Sequence, residues 1–150
     1  MPPIELTFES EVAASPAKAW GWISSVKNIQ AEMRPYFRMT APRGIESISD
    51  LDFKPGKVLF RSRVYLFGFL PIDHSDMTLI ELRDGEGFIE ESPMGSMKLW
   101  RHDRKIVPTD GGSRIIDHLK FEPRWVKGVT AWFINTVFKH RHKVIRKLLK

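Results

Sequence analysis

The chain contains no cysteine, which excludes disulfides and thiolate catalysis. No apolar run approaches the ~20 residues that a bilayer-spanning helix requires. The opening residues MPPIELTFES lack the basic-then-apolar order of a signal peptide, so a cytoplasmic location is the expectation. Nucleophile elbow, phosphate-binding loop and paired-carboxylate motif are all absent. So are zinc-ligand spacings, internal repeats, linkers and low-complexity tracts. The most informative absence is local. The last 27 residues, Arg124 to Lys150, carry eight Lys/Arg and no Asp or Glu.

What is present is ordinary for a soluble globular chain. With 150 residues, 42% apolar and 28% charged, residues 1–150 are expected to form one domain around one core. The net charge is +6, yet outside the terminal segment there are 16 basic and 18 acidic residues. The basic excess therefore sits in that segment. An apolar stripe runs through it at steps of three, four and seven: Val126, Val129, Phe133, Val137, His140, Val144 and Leu148. That spacing predicts one amphipathic helix from about Arg124 to Leu148. Such a helix spans about 40 Å, enough to lie across a small sheet. Its charge is read as a solvated face, with cations favoured near the C-terminus by the helix dipole. An anionic ligand or transient contact with an anionic membrane surface is the sharper alternative. Lys139 to Lys143 fits no nucleic-acid-binding signature, so no nucleic-acid partner is expected. Trp125, Trp132 and Phe138 are read as core.

Upstream, Ile4, Leu6, Phe8, Ser10 and Val12 alternate with polar residues, which predicts a half-buried antiparallel strand. Ser15-Pro16 is a helix start, and a second short helix is expected over about Val26 to Met33. Ile45, Ile48 and Leu51 suggest one irregular strand. Strand patterns follow over Val58–Phe67, Ile72–Arg83, Gly87–Glu91, Met97–Val107 and Ser113–Glu122, with turn residues at each junction. The fold class is α+β, with helices on one face of a bent antiparallel sheet. The space between sheet and long helix must hold side chains or a ligand.

Centring the last hairpin on Thr109 and Asp110 sets His102 opposite Asp117 and Trp100 opposite Leu119, with Arg104 diagonal. Apolar neighbours turn this face inward, so the three polar groups are expected to satisfy one another. His102 and Asp117 are the candidate catalytic pair, as an oriented acid/base; the plainer reading is a structural or ligand-positioning role. The expected cavity lining is Phe60, Val64, Trp100, Leu119, Phe133 and Val137, with His102, Arg104 and Asp117 as ligand-binding polar groups, His74 at its mouth and His140 as a polar contact. His74 and Asp76 near His102 raise the thought of a metal, but no recognised spacing supports one. Neither metal nor cofactor is expected.

The strand ELTFESEV leading into SPAKAW, Gly56, and Gly68-x-x-Pro71-Ile72 resemble the START/Bet v1-like (SRPBCC) superfamily, the polyketide cyclase/dehydrase and lipid-transport group. The segments FIEESPMGSMKLWRHDRKI, GGSRIIDHLKFEP and FKHRHKVIRKLL are similar to a bacterial ligand-binding subgroup, through Gly95, Trp100, His102, Asp117, Phe121 and Pro123. Ser96 replaces a usual Pro, Arg104 a common second His, and His74 a common aromatic. The resemblance implies a helix-grip fold. It also implies a small apolar or amphipathic ligand in an internal cavity: a lipid, a polyketide-like molecule or an aromatic metabolite. A cyclase- or dehydratase-like enzyme and a membrane lipid-transfer protein are the alternatives within the group.

Overall fold

The computed structural model describes residues 2–149. Strand β1 (Ile4–Val12) alternates as its sequence demands, with Ser10 and Val12 buried and each Glu outward. Helices α1 (Pro16–Ile23) and α2 (Val26–Met33) follow. Ser15 and Ser25 cap them, their hydroxyls accepting from the amides of Lys18 and Asn28. Strand β2 (Phe37–Met39) is short. Then come β3 (Val58–Leu66), β4 (Leu70–Arg83), β5 (Gly87–Glu91), β6 (Met97–Thr109), β7 (Gly112–Pro123) and α3 (Lys127–Leu148). One antiparallel sheet holds all seven strands in the order β1-β7-β6-β5-β4-β3-β2. This is the helix-grip arrangement: a curled sheet around one long helix.

Two expectations require correction. The segment around Ile48 is a short 3-10 turn, Ile48–Asp50, and not a strand. Ser47 accepts from the amide of Ser49, while its own amide donates to Asp50 at 3.1 Å. These local side-chain bonds compete with strand pairing and win. The buried row on α3 is also displaced. Its buried residues are Ile134, Val137, Phe138, Arg141, His142 and Ile145, whereas Val126, Val129 and Leu148 are exposed. Two overlapping rows exist on this helix, offset by one residue. The row of Ile134, Phe138 and Ile145 packs on the sheet, and Val129, Phe133 and Val137 face the cavity described below.

The core has two centres. One joins Val12 and Ala14 to Ala19 and Ile23 of α1, Ile106, Ile115, Ile145 and Leu149. The other joins Met97, Leu119 and Phe121 to Ile134 and Phe138. Both lie where α3 packs against β1 and β7. The strands β3 to β5 curl beyond the reach of this contact. Among the described residues, no helix is long and apolar enough to cross a membrane.

Candidate ligand-binding site

The space left under the curled strands is a cavity of about 390 Å³, within the usual range for small-molecule sites of roughly 300–1,000 Å³. Its sheet wall includes Phe60, Val64, Met77, Leu79, Phe88 and Trp100. Val26, Ile29 and Met33 of α2 close one side, Ile45, Ile48 and Leu51 of the following loop another, and Phe133, Ile134, Val137 and Phe138 of α3 cover it. The polar groups in this apolar shell are few, and include His102, Glu90, Asp73 and Arg141.

Beneath the cavity lies a buried ionic network tying sheet to helices. The last hairpin turns at Asp110-Gly111, so the pairing differs from the expected one by one residue on each strand. Arg104 lies opposite Asp117, and His102 opposite Leu119. All keep their inward face, because the side-chain period of a strand is two. Direct and diagonal neighbours simply exchange. Arg104 grips Asp117 with two bonds, Nε to Oδ1 at 2.7 Å and Nη2 to Oδ2 at 2.8 Å. It also reaches Glu32 on α2, Nη2 to Oε1 at 2.9 Å and Nη1 to Oε2 at 3.2 Å. Arg141 on α3 donates from Nε to Glu32 Oε1 at 3.1 Å. Arg104, Glu32 and Asp117 are fully buried, which ions tolerate only when paired and hydrogen-bonded.

Two histidines complete the network, each through Nε2. Asp117 is also bonded by His102 Nε2 at 2.6 Å and His142 Nε2 at 2.7 Å. A carboxylate only accepts, so each Nε2 carries hydrogen. Arg146 Nη1 donates to Ser10 Oγ at 3.0 Å, and Ser10 Oγ lies 2.6 Å from His142 Nδ1, which ties β1 to α3. Apart from the histidines, two guanidinium groups meet two carboxylates here. Burial would raise the Asp117 carboxyl, but Arg104 and His102 outweigh it and hold Asp117 well below the usual carboxylate value. Burial would likewise lower Arg104, yet Asp117 and Glu32 raise its guanidinium above the ordinary value.

The expected site residues divide accordingly. Phe60, Val64, Trp100, His102, Phe133 and Val137 line the cavity. Leu119 does not: it is sealed in the core under Ile134 and Phe138. Asp117 and Arg104 sit one layer deeper, in the network. His74 is not in the lining either, since its neighbours Asp73 and Ser75 face the cavity and alternation turns His74 outward. Asp76 likewise points away and pairs with Arg61. His140 is turned to the Arg34 carbonyl and packs edge-on against Tyr36. Trp125 and Trp132 are 65% and 66% exposed, not core. Among the described residues, no three His, Asp or Glu are grouped as metal ligands.

Sequence reasoning missed Glu32, Glu90, Arg141 and His142. The α3 residues were legible in principle. They share the helical face of Ile134, Phe138 and Ile145, but phasing the helix on its valines hid that face. Glu32 and Glu90 carry no comparable signal. Around the mouth, Gly95 allows a close contact. A Cβ there would lie 2.7 Å from Asp73 Oδ1. Asp73 Oδ1 accepts from the amides of Ser96 and His74, and its Oδ2 accepts from the Ser96 hydroxyl.

A curled antiparallel sheet gripping a long C-terminal helix over an internal cavity is the Bet v1-like helix-grip fold. A crystallised protein of Chromobacterium violaceum superposes with a TM-score of 0.72 at 12% identity, covering 98% of each chain. The crystal structure of Ara h 8.0201 superposes with a TM-score of 0.65 at 13% identity, over 98% of this chain and 97% of that one. The solution structure of an AHSA1-like protein from Aeromonas hydrophila gives 0.62 at 10% identity, over 95% and 92%. At such identities the likeness concerns the fold. The chain itself belongs to DUF8410, a domain of unknown function, whose sequence model matches residues 10–149. No curated protein matches the sequence.

Proposed function

We propose that this protein binds a hydrophobic or amphipathic small molecule in the cavity between sheet and α3. The observation that carries this reading is an apolar cavity of about 390 Å³ beside two buried core clusters, with its polar groups at a few points. The ionic network beneath supports the role. It holds His102 rigidly by Nε2 and by edge contacts to Phe88 and Phe138. Its Nδ1 makes no hydrogen bond among the described residues and is free for a ligand. The cyclase- or dehydratase-like alternative would use His102 as acid/base with Asp117 as its orienting group. The same geometry serves binding without any reaction, and no cofactor is needed for it.

Native mass spectrometry of the protein purified from its host tests the reading. A bound small molecule, lost on denaturation and missing from a cavity-filling Val64→Trp variant that remains folded, is the expected result. A ligand-free protein that also takes up no apolar probe overturns it.

A second reading, delivery at a membrane surface, is favoured by one specific feature. The β3–β4 hairpin exposes Phe67, Phe69, Leu70 and Ile72, and the start of α3 exposes Trp125, Val126, Val129 and Trp132. Ile72 and Val129 also line the cavity, so both segments reach its rim. Aromatic side chains at a rim, next to a basic helix, suit an anionic lipid interface.

A further inference from the structure

Arg141 is the only Lys or Arg that lines the cavity among the described residues, and it is 6% exposed. Its Nε is engaged by Glu32 Oε1 at 3.1 Å. Its Nη1 and Nη2 make no hydrogen bond among the described residues. Arg104, one layer deeper, spends all three of its nitrogens on Glu32 and Asp117. Arg141 therefore keeps hydrogen-bonding capacity that Arg104 does not. Both oxygens of Glu32 are already engaged by Arg104, and Arg141 is left with four unused N–H donors against an apolar space. Donors that face a mostly apolar cavity are normally satisfied, by protein, water or something bound.

We propose that the ligand is an amphiphile with a single carboxylate head, and that this head docks on Nη1 and Nη2 of Arg141 while the apolar body fills the cavity. The inference rests on the cavity-binding reading and specifies its ligand class. A guanidinium edge presents two parallel N–H groups, the geometry that a carboxylate accepts. The group is pre-positioned, because the guanidinium carbon stacks 4.7 Å over the Phe138 ring. Burial, helped by the neighbouring Arg104 charge, lowers the Arg141 pKa, and an adjacent anion favours its charged form. The His102 ring packs on the same Phe138, and its Nδ1 accepts from a hydroxyl on the ligand. Glu90 lies across from His102 on β5, with Oε2 accepting from Ser92 at 2.7 Å. A second negative charge on the ligand would meet this carboxylate, which limits the head to one. Asp73, the other acid in the lining, is occupied by Ser96 and His74.

The test is calorimetric titration of the wild-type chain at neutral pH with decanoic acid, decanol and decylamine, and with naphthoic acid beside naphthalenemethanol as an aromatic pair. The expected result is an acid bound about tenfold or more tightly than its matched alcohol, the range for a hydrogen-bonded charge. Arg141→Met should abolish that preference, bringing acid and matched alcohol to within about twofold of each other. If Arg141→Met does not fold, Arg141→Lys keeps the charge without the fork and should reduce the preference part-way. The wild-type comparison stands without either variant. Equal affinity for acid and alcohol overturns the carboxylate anchor and leaves the cavity reading intact. Tightest binding of decylamine overturns it in favour of Glu90 as the anchor. Binding of none of the five overturns the cavity reading itself, and the anchor with it.

Discussion

The two halves of the sheet solve different problems with the same kind of strand. Under α3, β1 and β7 are sealed: Leu119, Phe121, Ile134 and Phe138 interdigitate, and every ion in the layer has a partner. Under β3 to β5 the strands pair with register shifts, at Val58/Phe60, Val64/Tyr65 and Leu79/Glu81, and the inner face looks onto open space. The difference is set by reach. Helix α3 contacts β1 and β7 and is braced by α2, while the far strands curl away from it. A single straight helix cannot close on every strand of a curled sheet. Ions concentrate in the sealed half, where three elements converge and partners can be supplied from all sides. The lesson is that rigidity and vacancy are separated within one sheet, and that Arg141 stands on the border between them.

The comparison is tested most severely by removing the centre of the sealed half. Asp117→Asn keeps the shape but offers an amide where four N–H donors converge, and leaves the network with an excess positive charge. A cost of about 3–5 kcal/mol at neutral pH is expected, the range for breaking a buried ionic pair. The cost should shrink in acid. Asp117 titrates lower in the fold than in the unfolded chain, so its stabilisation is full above the unfolded value near ~3.9, falls below it, and is gone beneath the folded value. Urea midpoints of both proteins measured from neutral to strongly acidic pH check this. A difference independent of pH would mean that the carboxylate charge is not what stabilises the network.

A second comparison sets truncations in the two halves side by side. Leu119→Ala removes side-chain volume from close packing and should cost about 2–5 kcal/mol. Met77→Ala enlarges a space that already exists, and should cost less than Leu119→Ala because fewer atoms lose contacts. Equal costs in chemical denaturation would show that the cavity collapses in solution.

How far the sequence carried these conclusions depends on the range of the interaction. The strands and helices were legible because alternation, caps and turn residues are local: Ile4 to Val12, Ser15-Pro16 and the long acid-free tail each declare themselves within a dozen residues. The inward face of His102 and Asp117 was legible for the same reason. Their register was not, because Asp110-Gly111 and Thr109-Asp110 are both plausible turn centres and only the tertiary structure chooses between them. Glu32 was beyond reach. It sits on a short polar helix and becomes buried only when Arg104 arrives from β6, 72 residues away. The phase of α3 failed for a subtler reason. Its valines form a regular row, but that row faces the cavity and solvent, while the row packing on the sheet contains Arg141 and His142.

The smallest effect on stability is expected at the rim. Trp132 is 66% exposed, and Trp132→Ser should change unfolding free energy by no more than ~0.5 kcal/mol, as for surface positions generally. Its effect on membrane association should be larger. An aromatic ring that partitions into the interface contributes through buried apolar area, and replacing it with serine removes that contribution. Cosedimentation with vesicles containing anionic lipid should therefore fall for Trp132→Ser and fall further when Phe69→Ser is added, since Phe69 is 74% exposed on the opposite segment. Neutral vesicles should bind more weakly than anionic ones, and added salt should weaken the anionic case. Unchanged cosedimentation of the double variant would remove the membrane reading while leaving the cavity untouched. The rim would then be a surface whose hydrophobicity serves only to admit the ligand.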